Sequence, residues 1–187
     1  VSGKLSNEDY DKIISNACPG PGACGGMYTA NTMSSAIEAM GMALPYNSSN
    51  PAISRDKLNE KETISKSIIN LIKKDIKPSD IITKKSIENA VRLITLLGGS
   101  TNAVLHILAI CKTANIDFNI DDFQKISEET PFLANLKPSG KYLMEDLHNI
   151  GGIPSVMKFM LQNNMLHNDC MTAVSYTHLT LPTMDSV

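Results

Sequence analysis

The chain has 187 residues, of which 42% are hydrophobic and 19% are charged, and its formal net charge is −2. This composition is typical of a globular domain with a sizeable core, and the balanced charge leaves no footprint of nucleic-acid binding. No apolar run approaches the ~20 residues of a membrane helix, and the first residues lack the pattern of a secretion signal. The four cysteines are irregularly spaced, which favours free thiols in a reducing compartment over a disulfide scaffold.

The first half of the chain predicts helices separated by a turn-rich stretch. Residues 6–16 form a short segment with helical character. From Cys24 onwards, apolar residues recur in steps of three and four, which predicts one amphipathic helix that ends before the turn residues at 45–54. A charged helical segment follows over 57–77, and Pro78 stops it. The apolar stripe of the helix predicted after Cys24 consists of Met27, Ala30, Met33, Ile37, Met40 and Leu44.

The second half is also predicted to be mostly helical. Residues 84–97 carry a further helical stripe. The segment 103–114 is so uniformly apolar that it predicts a helix buried on most sides, with a short buried strand as the alternative. A capped short helix is expected within 119–133. The stretch 137–164 then predicts a turn, a short helix, a Gly-Gly break and a last helix from Pro154.

Residues 174–187 continue none of these patterns. Their beginning, "VSYTHLTLPT", resembles translated adapter sequence at the broken end of an assembled gene. We therefore predict a non-native tail over 174–187 and one partial domain over 1–173. The alternative is a native edge strand that contains Tyr176, Thr177, Leu179 and Thr180.

The densest chemistry lies in "CPGPGACGGM", from Cys18 to Met27. Three of its glycines match the spacing of a dinucleotide-binding loop, but no buried strand precedes them and no acidic residue follows at the required distance. Two of them have the spacing of a phosphate-binding P-loop, but Gly26 and Met27 stand where that loop needs Lys and Ser or Thr. Both nucleotide-binding interpretations are therefore rejected.

Cys24 lies at the predicted start of a helix, where unpaired backbone N–H groups favour a thiolate. Gly25 and Gly26 leave room beside the sulfur, which suits a ligand of an iron–sulfur cluster. The C-x5-C spacing from Cys18 differs from the paired cysteines of zinc ribbons and ferredoxins, so further ligands are needed from elsewhere. From the residues alone, metal ligation by Cys24 and simple packing in the core both remain open.

The sequence "GGSTN", which ends at Asn102, is the second candidate site. Ser100, Thr101 and Asn102 are expected either to line a pocket, together with Gly25 and Gly26, or merely to start the next helix.

The other polar candidates have structural interpretations. His106 is predicted to be a satisfied core histidine and Cys111 to pack, whereas Cys170 is expected to be structural or exposed. A solvated helix face is predicted for the possible acid–base group Glu145, Asp146 and His148. No catalytic residue is predicted within this chain.

Three stretches together resemble one enzyme family. They are "ACPGPGACGGMYTANTMSSAIEAMGMALP" (17–45), "GGSTNAVLHILAI" (98–110) and residues 120–152. These stretches resemble the family of dehydratases that act on dihydroxy acids, phosphogluconate and sugar acids, and the resemblance extends to about Ala173. The wording "GMYTANTM" is closer to the branched-chain members than to the phosphogluconate enzymes, and the sugar-acid dehydratases are the nearest rival.

The resemblance implies a hydro-lyase that removes water from a 2,3-dihydroxy-3-methyl carboxylic acid and yields a 2-keto acid in valine and isoleucine biosynthesis. The family uses a [2Fe–2S] or [4Fe–4S] cluster held by three cysteines, with Mg²⁺ nearby, and Cys24 matches the third cysteine. The other two cysteines, the Mg²⁺ ligands and the catalytic base have no match in this chain. We therefore expect the chain alone to be inactive.

The same resemblance implies an α/β fold, in which this chain is the predominantly helical fragment of a helix-flanked sheet domain. It further implies a homodimer at full length, in the bacterial cytoplasm or in the matrix of a eukaryotic organelle. A non-catalytic metal-binding helical module is the alternative from another functional class.

Overall fold

The computed structural model describes residues 3–18, 20–22 and 24–174. Within these ranges the chain forms nine helices and no strand, and one isolated β-bridge joins Leu136 to Tyr142. The predominantly helical character is confirmed, whereas the expected helix-flanked sheet is not found among these residues. The helices are α1 (Asn7–Asn16), α2 (Thr29–Ala39), α3 (Arg55–Lys73), α4 (Pro78–Ile81), α5 (Lys84–Leu96), α6 (Asn102–Thr113), α7 (Ile120–Glu129), α8 (Met144–Asn149) and α9 (Gly152–Gln162).

Capping side chains fix where several of these helices begin. The Ser54 hydroxyl accepts a hydrogen bond from the Lys57 backbone N–H, so α3 begins directly after Ser54 rather than at residue 57. Thr83 and Asn119 cap α5 and α7 in the same way, which agrees with the helices predicted there. Pro78 opens the one-turn helix α4 instead of only ending the helix before it.

The core consists of two clusters of buried side chains that share α2 and α5. In the first, Leu93 and Leu96 of α5 pack with residues of α8 and α9. In the second, Ile87 and Val91 of α5 pack with residues of α2, α6 and α7. Because α2 and α5 each contribute to both clusters, this pair of helices lies at the centre of the core.

Asn89 is a buried polar residue of α5. Its side-chain oxygen accepts a hydrogen bond from His167 N–H at 2.8 Å, and its amide donates to the His167 carbonyl at 3.0 Å. The His167 ring also lies 2.6 Å from the Glu88 carboxylate, measured from Nε2 to Oε2. These bonds satisfy the backbone of His167 and attach the segment after α9 to α5.

The outer helices carry apolar side chains that nothing covers in the described ranges. α1 and α3 bury no residue, and Leu105 of α6 is 71% exposed. The prediction that α6 is buried on most sides is therefore wrong, and so is the core-histidine interpretation of His106, which is exposed. The packing interpretation of Cys111 is confirmed, and burial raises the pKa of its thiol.

The predicted tail begins at Val174, and residues 175–187 lie outside the described residues. Its non-native origin and the alternative edge strand both stay predictions. In the part of the chain that the structure describes, no helix is long and apolar enough to cross a membrane.

Candidate functional site

Cys24 lies in the loop between α1 and α2. Helix α2 begins at Thr29, so Cys24 precedes the helix by five residues, and the prediction that Cys24 occupies the start of the helix is wrong. The Cys24 side chain is a free, exposed thiol whose Sγ donates a hydrogen bond to the Gly26 carbonyl oxygen at 3.6 Å. Packing in the core is therefore excluded, and the thiol is accessible to a ligand.

Asn31, in the first turn of α2, holds the backbone on either side of Gly25. Its Nδ2 donates to the Cys24 carbonyl oxygen at 3.0 Å and to the Gly26 carbonyl oxygen at 2.7 Å. The two bonds use both donors of the amide and tie the loop to the helix. Sequence analysis missed this residue, although an amide just after a glycine-rich loop is a signal that could have identified it.

The glycines after Cys24 allow a second segment to approach closely. Met27 N–H donates to the Lys137 carbonyl at 2.6 Å, and Met144 N–H donates to the Gly25 carbonyl at 2.8 Å. A Cβ at Gly26 would lie 3.0 Å from the Lys137 carbonyl oxygen, so only glycine fits there without displacement. In the structure, the Tyr28 ring and the Lys137 carbonyl occupy the space beside Gly26.

An open cavity of about 500 Å³ adjoins the Cys24 loop. Both exposed thiols, Cys18 and Cys24, line it, and Gly25 lies beside them. More than half of the other lining residues carry hydroxyl, amide or charged groups, which suit a small polar molecule. The polar side chains in the lining belong to Asn31, Ser34, Asn47, Ser48, Ser49, Asn50, Lys57 and Glu145.

Metal ligation by Cys24 needs ligands from elsewhere. In the described ranges, no three His, Cys, Asp or Glu side chains come together as a possible metal site. An accessible thiol at a polar cavity fits the role of one cluster ligand among several.

The "GGSTN" residues, which lead into α6, contact the start of α2 and are not among the residues that line this cavity. Asn102 donates through Nδ2 to Thr29 Oγ1 at 2.8 Å, and Ser100 Oγ lies 3.1 Å from the same oxygen. Ser100 N–H also donates to Thr32 Oγ1 at 3.0 Å. Thr101 is exposed and precedes α6 without a side-chain cap. These bonds fix the first turn of α2, which also carries Asn31. The motif therefore supports the Cys24 loop indirectly, through α2.

The acidic group near α8 is mainly structural. Glu145 and Asp146 are exposed, and the Asp146 carboxylate accepts a hydrogen bond from Leu143 N–H at 2.8 Å. The predicted solvated helix face is correct for these two residues, whereas His148 is half-buried. Cys170 is buried against the Asn89 amide, at 3.6 Å from Nδ2 to Sγ, in agreement with a structural role.

We expect Asn31→Asp to loosen the Cys24 loop. A carboxylate cannot donate to the two carbonyls, so both bonds are lost at a cost of about 1–3 kcal/mol in local stability. Hydrogen exchange at the Met27 amide should accelerate about tenfold or more. Asn163→Asp, which removes a bond to the Phe159 carbonyl at the end of α9, is the control. Unchanged protection of Met27 in Asn31→Asp would contradict the assignment.

Comparison with known proteins finds one matching family and several similar proteins for this chain. The profile of the family described as dihydroxy-acid/6-phosphogluconate dehydratase N-terminal matches residues 1–180. A dihydroxy-acid dehydratase of Flavobacterium psychrophilum is 58% identical over 173 residues, which are 92% of this chain and 31% of that protein. One of Lactococcus lactis subsp. cremoris is 56% identical over 177 residues, or 95% of this chain and 31% of that protein.

The similarity extends to plants. A chloroplastic dihydroxy-acid dehydratase of Arabidopsis thaliana is 54% identical over 177 residues, which are 95% of this chain and 29% of that protein. The chain therefore spans about a third of the length of these relatives.

Proposed function

Because the chain belongs to the dihydroxy-acid/6-phosphogluconate dehydratase family, we propose that it supplies part of the active site of a dihydroxy-acid dehydratase. In this proposal the chain is a segment of a longer polypeptide, called the full-length dehydratase below. That enzyme removes water from 2,3-dihydroxy-3-methyl carboxylic acids in valine and isoleucine biosynthesis. The observation that carries the proposal is 54–58% identity to dihydroxy-acid dehydratases over 92–95% of this chain.

Cys24 is proposed to be one of the three cysteine ligands of a [2Fe–2S] or [4Fe–4S] cluster. Its accessible thiol, its place at a polar cavity and the loop held by Asn31 support this role. A cluster bound there supplies Lewis-acid chemistry for the departure of the 3-hydroxyl as water. Cysteine thiolates are the usual protein ligands of such clusters.

The other residues of the cavity are proposed to bind and orient the substrate. The Asn31 amide oxygen, the Ser34 hydroxyl and the Lys57 ammonium group suit the hydroxyls and the carboxylate of a dihydroxy acid. The base that removes the C2 proton and the ligands of Mg²⁺ are assigned to other parts of the full-length dehydratase. Loss of the C2 proton and of the 3-hydroxyl leaves an enol, which becomes the 2-keto acid.

The remaining expectations belong to the same proposal. The sheet of the α/β domain is assigned to the full-length dehydratase, with the helices of this chain against it. We further propose a homodimer, located in the bacterial cytoplasm or in an organelle matrix, as the chloroplastic relative suggests for plants.

An assay of keto-acid formation tests this function. We expect the full-length dehydratase, purified without oxygen, to convert 2,3-dihydroxy-3-methylbutanoate with a kcat/KM about tenfold or more above that for a sugar acid. The 187-residue chain alone should form no keto acid. A preference for the sugar acid would replace the substrate assignment with the rival one. Turnover of neither acid by iron-loaded protein would favour a non-catalytic metal-binding module.

A further inference from the structure

Glu38 is a buried carboxylate near the end of α2. Glu38 is 5% exposed. No ion pair among the described residues involves it. A buried carboxylate is costly unless hydrogen bonds compensate for lost hydration. Burial raises the pKa of Glu38, and hydrogen bonds from Ser48 and Tyr46 oppose that rise. Burial therefore disfavours the ionised form of Glu38, and the hydrogen bonds from Ser48 and Tyr46 favour it.

Among the described residues, the Glu38 carboxylate accepts hydrogen bonds from one short turn, residues 46–48. Oε1 accepts from Tyr46 N–H at 2.8 Å, and Oε2 accepts from Ser48 N–H at 2.9 Å and from the Ser48 hydroxyl. Both carboxylate oxygens are used, and both backbone donors lie within three residues of each other. Glu38 thus binds residues 46–48 much as a capping side chain binds the start of a helix.

The turn adopts a conformation that needs such support. Tyr46 has a φ of 70°, in the left-handed region that bulky residues rarely adopt. A residue held there costs of order 1–3 kcal/mol and persists only when its surroundings fix it. The N–H of this same residue is the one that Glu38 Oε1 accepts.

This turn forms one wall of the Cys24 cavity. Ser48, Ser49 and Asn50 line the cavity together with Cys24. Four residues after Ser48, Ala52 lies close to the loop that leads to Cys24, because a Cβ added at Gly22 would lie 3.3 Å from the Ala52 Cβ. A displacement of residues 46–52 would therefore change both the wall and the approach to Cys24.

A second acid, from α3, also holds this turn. Glu60 of α3 accepts from Asn47 Nδ2 at 2.6 Å and from Asn50 Nδ2 at 2.7 Å. Unlike Glu38, it has a cation partner, because Lys57 Nζ lies 3.0 Å from its Oε2. Glu60 holds the side chains of the turn, whereas Glu38 holds its backbone.

We propose that Glu38 is a positioning residue that holds the backbone of residues 46–48 as the wall of the Cys24 cavity. Its effect on the turn depends only on the contacts above. Its effect on substrate binding rests on the proposed function.

Glu38→Gln tests the effect on the turn. Glutamine keeps one accepting oxygen but turns an NH₂ group towards the other donors, so at least one backbone bond is lost. In the 187-residue chain, we expect hydrogen exchange at the Tyr46 and Ser48 amides to accelerate about tenfold. Amides of α5 should keep their protection. Unchanged exchange at Tyr46 and Ser48, or equal acceleration throughout the chain, would overturn the proposal.

Two matched variants sharpen this test. Glu60→Gln loses one of the two asparagine bonds but accepts from no backbone N–H of the turn, so it should leave the Tyr46 and Ser48 amides protected. Ser48→Ala removes only the hydroxyl bond and should produce a weaker acceleration confined to the turn. If Glu38→Gln does not fold, Ser48→Ala decides, and wild-type exchange in that variant contradicts the proposal.

A kinetic comparison tests the effect on substrate binding. In the full-length dehydratase, Glu38→Gln should raise KM for the dihydroxy acid several-fold and leave the visible absorption of the cluster unchanged. Wild-type KM would overturn this part. If exchange at the turn accelerates but the full-length wild type dehydrates no acid, the proposed function fails and the role of Glu38 in the turn stands.

Discussion

Replacement of Cys24 by serine in the full-length dehydratase should lower the rate of keto-acid formation by at least roughly three orders of magnitude, the scale of losing an essential catalytic group. The reason is that cluster iron binds a thiolate, and a serine hydroxyl does not readily ionise to replace it. The substitution removes one sulfur atom from an exposed position, so the fold should be unaffected. The measurement is 2-keto acid formed per enzyme, with circular dichroism to verify the fold.

Cys18→Ser is the matched control for this prediction. Cys18 is also free and exposed and lines the same cavity, but no ligand role is assigned to it. We expect this variant to retain most of the activity. An equal loss in both variants would show that the assay reports general damage to the loop, and wild-type activity in Cys24→Ser would contradict the ligand assignment.

The largest expected effect on stability comes from Ile87→Ala in α5. Ile87 is 0% exposed and belongs to the core cluster that joins α2, α5, α6 and α7. Its truncation removes buried methyl groups and leaves a cavity, at a cost of about 2–5 kcal/mol in the free energy of unfolding. Urea denaturation of the 187-residue chain, followed by circular dichroism, measures this change.

Leu105→Ala in α6 is the control, since it also shortens an aliphatic side chain of a helix. Because Leu105 is 71% exposed, its truncation should change the free energy of unfolding by less than about 0.5 kcal/mol. Comparable losses at the two positions would show that the exposed face of α6 is covered in solution, which would contradict the arrangement of the core described above.

Sequence periodicity predicts the existence of α2 but not the residue at which the helix begins. The apolar stripe correctly predicts a helix, but it places the start at Cys24 instead of Thr29. The reason is tertiary: Met27 N–H pairs with the carbonyl of Lys137, more than a hundred residues away in the chain. A local pattern carries no information about such a partner.

For helix α6, the sequence predicts the secondary structure correctly but not the burial. Its apolar composition correctly predicts a helix, since Val, Leu and Ile side chains over three turns suit a packed segment. It does not determine which faces meet a partner, and Leu105 remains exposed. Burial depends on what the rest of the chain places opposite, which hydrophobicity alone does not report.

The candidate site was predicted in part. The sequence identifies the Cys24 loop and the turn residues at 45–54, and the structure brings the two together around one cavity. Glu38 was missed because an acidic residue in a helix is usually solvated. The sequence feature that could have identified Glu38 is that no other charged residue occurs in α2. The remaining residues of this helix are small, apolar, or carry a hydroxyl or an amide.

The most direct test of the central claim is the visible absorption of the full-length dehydratase, purified without oxygen, for the wild type, Cys18→Ser and Cys24→Ser. With Cys24 as a cluster ligand, the wild type and Cys18→Ser show the absorption of an iron–sulfur cluster, and Cys24→Ser loses it. Iron and acid-labile sulfide should fall in parallel. Wild-type absorption and iron content in Cys24→Ser would contradict the claim.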